Sequence, residues 1–184
     1  KTRRPRGRHD DRATFMRRLG IGLLWLLWRL LPIAALAWLG ERVGALLHPL
    51  AGRRRRVGET NLRLCFPELD PGARAALLKA HFRALGRASL LETVSWWGSQ
   101  AEVERLVRFE GIEHLRARLG RPLIVLAPHF LGLNPGGVRL TIECPRLVSV
   151  YSRIKNPHFD RLMLASRTRF GASEMHSREE GIKP

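Results

Sequence analysis

The sequence is short of cysteine and of negative charge. Two cysteines, Cys65 and Cys144, stand among 184 residues. They form no CxxC pair and no His/Cys cluster of the kind that holds zinc, so they read as two reduced thiols in a cytosol-facing protein. Acidic residues number 16 against 33 lysines and arginines, a formal charge of +17. Such a balance suits an anionic membrane surface or nucleic acid. No RNP, zinc-finger or helix-turn-helix pattern accompanies it, and nucleic acid is not the expected partner. Internal repeats and a low-complexity core are also absent. No small-residue cleavage site follows the one long apolar stretch, so that stretch does not read as a removed signal peptide.

The positive charge is unevenly spread. Residues 1–56 hold 14 lysines and arginines with 3 acidic residues; the remaining 128 hold 19 and 13. The first eighteen residues, KTRRPRGRHDDRATFMRR, are basic and without hydrophobic period, and read as a disordered tail. Residues 19–40 are almost wholly apolar and are expected to form a membrane anchor helix, about 33 Å long. Arg29 near its centre and Pro32 oppose simple spanning. Crossing, lying in the interface and packing as a soluble core helix all remain open. Arginines flank both ends, at Arg17-Arg18 and Arg53–Arg56, so charge gives no orientation.

Residues 41–184 read as one domain of the α/β class. Asp70-Pro71 is an N-cap followed by a favourable first residue for a helix reaching about Trp97, with Leu77, Leu78, Phe82 and Leu85 at helical spacing. Shorter helices are expected near Val103–Val107 and over Ile112–Leu119, the latter stopped by Gly120. Beyond Arg121 the pattern becomes strand (Pro122–Ala127), helix (Pro135 to about Ile142), strand (Leu147–Ser152) and helix (Pro157–Arg169). That order predicts parallel strands with crossover connections and a crevice at their carboxyl ends. His129 would follow the first strand; Tyr151, Arg153, Lys155 and Asn156 would follow the second. A possible base and a basic cluster then share one edge. Trp96-Trp97 reads as packing rather than as a substrate cage.

His129-Phe130-Leu131-Gly132-Leu133-Asn134 resembles the H-x4-D/E motif of glycerolipid-type acyltransferases. The closer resemblance is to the bacterial late acyltransferases of lipid A biosynthesis. Arg54–Leu62 (RRRVGETNL) with Phe66-Pro67-Glu68, Tyr151 leading to Lys155–Asp160 (KNPHFD), and Arg167–Gly171 (RTRFG) are similar to further blocks of that family in the same order.

The resemblance implies an inner-membrane enzyme with its catalytic face in the cytoplasm. It would move a fatty acyl chain from acyl carrier protein to a hydroxyl of a lipid A precursor, with no metal and no held cofactor. His129 would be the general base. Position 134 would carry the acid that orients it, and Arg167 would support that pair or bind substrate. Tyr151, Arg153, Lys155 and Asn156 would be substrate-binding, through lipid phosphate or the phosphopantetheine arm. The basic surface suits an acidic carrier protein.

Two features depart from the family pattern. Asn134 stands where an acid is expected, and an amide supplies no negative charge; as Asn-Pro it also reads as a helix N-cap. Family members run further than residue 184, which suggests a partial parallel βαβα core and a fragment of a longer protein. A different glycolipid or aminolipid acceptor and a catalytically inactive membrane-bound homologue are the alternatives.

Overall fold

A computed structural model describes residues 8–144 and 146–180. The first seven residues of the expected tail and the closing Gly181–Pro184 lie outside the described residues. The chain divides into two compact units: one comprises the residues up to Arg29, Thr93–Pro128 and Leu133 onward, the other Leu30–Glu92 with His129–Gly132.

The amino-terminal region corrects two expectations. Residues 8–18 are not a disordered tail; they open helix α1 (Arg8–Leu30). The single anchor helix over 19–40 is instead two helices, α1 and α2 (Ile33–Leu50), separated at Leu31-Pro32. Proline has no N–H to donate and disfavours helix in the residue before it, which explains a break there. Among the described residues, no helix is long and apolar enough to cross a membrane. α1 instead exposes Phe15, Leu19, Leu23, Leu26 and Leu30, a three- and four-residue spacing that lays them along one face.

In the second unit, α2 is followed by α3 (Gly52–Cys65) and the first turns of α4 (Pro71–Trp97). α3 was not expected from the sequence, because its arginine run hides any apolar period. The N-cap reading of Asp70 holds: its Oδ1 accepts the Ala73 amide at 2.9 Å. α2 and α4 meet on glycine. A Cβ on Gly40 would lie 2.6 Å from the Gly86 carbonyl oxygen, and one on Gly44 would strike the Phe82 carbonyl. Only hydrogen at these positions lets the two backbones approach so closely. Leu36, Leu78, Phe82 and Leu91 are buried in this unit. Glu41 reaches from α2 to Arg83 (3.3 Å) and Arg87 (3.2 Å) on α4.

In the first unit, α5 (Gln100–Leu106) starts with a full capping box between Ser99 and Glu102. A short α6 (Ile112–Arg116) and α7 (Leu133–Glu143) follow, and α7 packs against α5 and α8 (Pro157–Arg167). Val94, Val103 and Val138 are completely buried; each such side chain contributes about 1.5–3 kcal/mol. Trp96 and Trp97 are packing residues, 5.4 Å apart edge to face, with Trp96 also against Phe159 and Trp97 against Trp28.

The sheet differs from expectation. Among the described residues it has two strands, β1 (Arg146–Tyr151) and β2 (Ala172–Ser177), parallel and in register from Arg146–Ala172 to Tyr151–Ser177. α8 is the crossover between them. Parallel pairing with a helical connection is therefore present, one step later in the chain than expected. The strand expected over Pro122–Ala127 does not form: residues 122–130 are irregular and exposed, with Ile124 95% and Leu126 93% accessible. β propensity alone makes no strand; a ladder partner is required, and β1 and β2 take each other.

Candidate active site

α7 starts within the first unit at Leu133, and α8 ends there at Arg167. Because the two helices pack together, the first turn of one meets the last turn of the other. Arg167 Nε donates to Asn134 Oδ1 across this junction at 2.6 Å, partly shielded from water. A guanidinium offers only donors, so the amide must present its oxygen to it. Asn134 lies inside the first turn of α7 rather than at its N-cap, and its carbonyl oxygen serves Arg167. The structure thus brings together two of the three residues that the sequence singles out as catalytic.

His129 is not part of that pair. It sits exposed in the irregular segment before α7, and His129–Gly132 group with the second unit. The expectation that His129 follows a sheet strand is corrected with the loss of the 122–127 strand.

The four expected substrate-binding residues lie at and beyond the carboxyl end of β1. Tyr151 is half-buried as its last residue, while Arg153 and Lys155 are exposed in the turn that follows. Asn156 caps α8, its Oδ1 accepting the His158 amide at 3.0 Å, with Pro157 at the first helical position. Asp160 folds back to accept the Ile154 amide at 2.8 Å, which ties the turn to the helix behind it.

Arg169 is a member of the site's surroundings that sequence reasoning passed over. Its Nη1 donates to the Ser95 carbonyl at 3.1 Å, its guanidinium lies 4.6 Å from the Phe170 ring, and burial lowers its pKa. The signal for it was its place in the RTRFG block beside Arg167. Gly171 closes that block at φ +82, and a Cβ there would lie 2.7 Å from the Thr141 carbonyl. Glycine is therefore required for the chain to turn from α8 into β2.

Glu143 closes the far end of α7. Arg116 and Arg139 each reach it at 2.7 Å, and the Arg139 guanidinium lies over Phe109. The hydrogen bond from Arg116, then that from Arg139, holds the Glu143 carboxyl below its ordinary value, against the effect of burial. Cys144 beside it is buried; burial first, and the Glu143 charge second, push its thiol pKa up. Among the described residues no group of three or more His, Cys, Asp or Glu is placed to hold a metal ion.

These features define a helical scaffold with a parallel strand–helix–strand unit and a polar junction between two packed helices. Residues 3–184 match the profile described as bacterial lipid A biosynthesis acyltransferase. The lipid A biosynthesis palmitoleoyltransferase of Escherichia coli (strain K12) is 34% identical over 152 residues, 82% of this chain and 48% of that protein. The lauroyltransferase of lipid A biosynthesis from the same organism is 29% identical over 163 residues, 88% of this chain and 53% of its own length. The myristoyltransferase is 26% identical over 145 residues, covering 78% and 45%. No solved structure matches. The chain belongs to the bacterial lipid A biosynthesis acyltransferase family. It spans about half the length of the curated relatives it matches.

Proposed function

We propose that this chain carries the acyl-transfer site of an enzyme that esterifies a hydroxyl of a lipid A precursor with a fatty acyl chain from acyl carrier protein. The observation that carries the proposal is the family match along residues 3–184, shared with relatives named for lipid A acyl transfer. His129 is the general base. Its neutral imidazole takes the proton of the acceptor hydroxyl as the oxygen attacks the thioester carbonyl. The tetrahedral intermediate collapses with cleavage of the C–S bond. The carrier's sulfur leaves, gains the proton from the imidazolium, and the ester remains.

The family resemblance assigns Asn134 and Arg167 the role of orienting the base, and the Arg167 guanidinium holds the Asn134 amide. An amide offers no negative charge to an imidazolium, so turnover is slowed relative to a chain with an acid at 134. Tyr151, Arg153, Lys155 and Asn156 bind the phosphate-bearing parts of the substrates. The exposed apolar face of α1 and the basic amino-terminal part support work at the cytoplasmic face of the inner membrane. Asn134 also favours a second reading, a catalytically inactive homologue that keeps lipid or carrier-protein binding.

The test is acyl transfer from lauroyl-acyl carrier protein to a tetraacylated lipid A precursor, by the native chain, Asn134→Asp and His129→Ala side by side. Transfer that disappears in His129→Ala supports the enzyme. Binding of either substrate with no transfer by any variant supports the inactive homologue.

A further inference from the structure

The second unit contains a cleft of about 570 Å³ between α3 and α4 to which the acyl-transfer chemistry assigns no residue. Its α3 wall carries Arg55, Arg56, Glu59 and Arg63; its α4 wall carries Arg74 and Lys79. Five cationic side chains thus surround a single carboxylate.

That carboxylate is engaged, since Glu59 pairs with Arg55 at 3.3 Å. Arg74 is also committed: its Nη1 donates to the Leu69 carbonyl, and lies 3.3 Å from that of Phe66, holding the turn between the helices. Among the described residues, Arg56, Arg63 and Lys79 have no carboxylate partner. All three are exposed, so the side chains of another protein reach them without entering the interior. Like charges around one concavity repel each other, and negative charge brought from outside relieves the repulsion.

The arrangement also says which kind of anion. Arg56 and Arg63 are seven residues apart on one face of α3, about 10.5 Å along its axis. That is a row of charge rather than a point. Carboxylates seven residues apart on a partner's helix repeat the same spacing, and Lys79 meets such a helix from the other wall. α2 contributes only His48 to the lining, and its exposed Val43, Leu46, Leu47 and Leu50 lie on the opposite face of that helix. What the cleft offers a partner is therefore charge in a fixed register, the property that speeds encounter and selects among proteins.

We infer that the α3–α4 cleft is a docking surface for an acidic helix of the acyl carrier protein, with partner carboxylates on Arg56, Arg63 and Lys79. The identity of the partner rests on the acyl-transfer reading; the preference for an acidic helix rests on the cleft alone.

The experiment is fluorescence anisotropy of labelled apo-acyl carrier protein, which bears neither the phosphopantetheine arm nor an acyl chain, titrated with the 184-residue chain. Two double variants are compared, Arg56→Gln/Arg63→Gln in the cleft and Arg53→Gln/Arg54→Gln outside it. All four side chains are exposed on the same helix, so both variants remove equal charge at equal risk to folding. The cleft double is expected to lose at least about tenfold more affinity than its neighbour, and Lys79→Gln to weaken binding from the opposite wall. Arg56→Lys/Arg63→Lys keeps the charge and should bind more tightly than the Gln double. Equal losses in the two Gln doubles would mean diffuse attraction only and would overturn the site, as would a native chain that does not bind the carrier. Saturable binding of inorganic phosphate that needs Arg56 and Arg63, without carrier binding, would assign the cleft to a small anion and overturn the proposal. Because the apo carrier has no group to transfer, docking and catalysis fail separately. Cleft-dependent binding with no acyl transfer by any variant would keep the docking surface and remove the enzyme reading. Transfer whose KM for the carrier is the same in the native chain and the cleft double would keep the enzyme and remove the docking surface.

Discussion

Arg167 Nε and Asn134 Oδ1 lie 2.6 Å apart, joining the last turn of α8 to the first turn of α7. A partly shielded hydrogen bond from a charged donor contributes about 1.5–3 kcal/mol. Asn134→Ala should lower unfolding free energy by an amount in that range, measured by urea denaturation. In a double-mutant cycle with Arg167→Ala the two losses should be strongly non-additive. Additive losses would mean that the contact carries no net stability.

Under the proposed function, position 134 also bears on catalysis. Asn134→Asp keeps the shape of the side chain and gives Arg167 a carboxylate. In serine proteases, the reference case for this exchange, replacing the orienting Asp by Asn costs about 10⁴ in turnover. The Asp variant is therefore expected to transfer acyl chains roughly 10²- to 10⁴-fold faster than the native chain. A rate no higher than native in the assay described above would sink the idea that position 134 limits the reaction.

The glycines of the α2–α4 crossing should tolerate nothing larger. Gly44→Ala drives a methyl into the Phe82 carbonyl, and the backbones must separate. A cost of about 1–3 kcal/mol is expected, as for other overpacked sites. Gly22→Ala in α1 is the control: nothing lies within 4 Å of its would-be Cβ, so the better helix former should be neutral or stabilising by up to about 1 kcal/mol. Thermal melts followed by circular dichroism should show a lowered midpoint for Gly44→Ala and an unchanged or raised one for Gly22→Ala.

Glu143 sets a pH dependence. Its folded-state carboxyl titrates below the ordinary value of 4.5 because Arg116 and then Arg139 hydrogen-bond the charged form. Its contribution to stability is therefore fully present above that ordinary value and is lost as pH falls through the lower folded-state value. Glu143→Gln should be less stable than native at neutral pH, with the difference shrinking in acid. Parallel urea titrations across the acid range give this directly; a gap independent of pH would exclude an ionic origin.

The exposed Leu123–Ala127 run should govern self-association. Ile124 and Leu126 are almost fully accessible in a segment of high β propensity with no ladder partner, a combination that favours intermolecular pairing. Ile124→Thr/Leu126→Thr should reduce concentration-dependent light scattering. Unchanged scattering would place the association surface elsewhere, on the apolar faces of α1 or α2.

Local chemistry was enough for several elements. Asp70 with Pro71, and Asn156 with Pro157, announce the starts of α4 and α8 because capping needs only a short polar side chain and a preset φ. The apolar-rich run of β1 was legible for the same reason. The break at Pro32 is likewise local, since a missing N–H acts within one turn. α3 was hidden by its arginines, whose helical preference shows no apolar period.

The two segments on either side of the sheet question show where that reasoning stops. Ala172–Ser177, a sequence of Ala, Ser, Glu, Met, His and Ser, has little β propensity and is a strand; Leu123–Ala127 has a great deal and is not. A strand exists only when another backbone satisfies its hydrogen bonds, and that partner is chosen by the whole chain. The candidate site divides in the same way. Motif order alone pointed to His129, Asn134 and Arg167 and to the family. Only the packing of α7 on α8 decided that Asn134 gives its oxygen to Arg167, because residues 33 positions apart meet only where tertiary structure brings them.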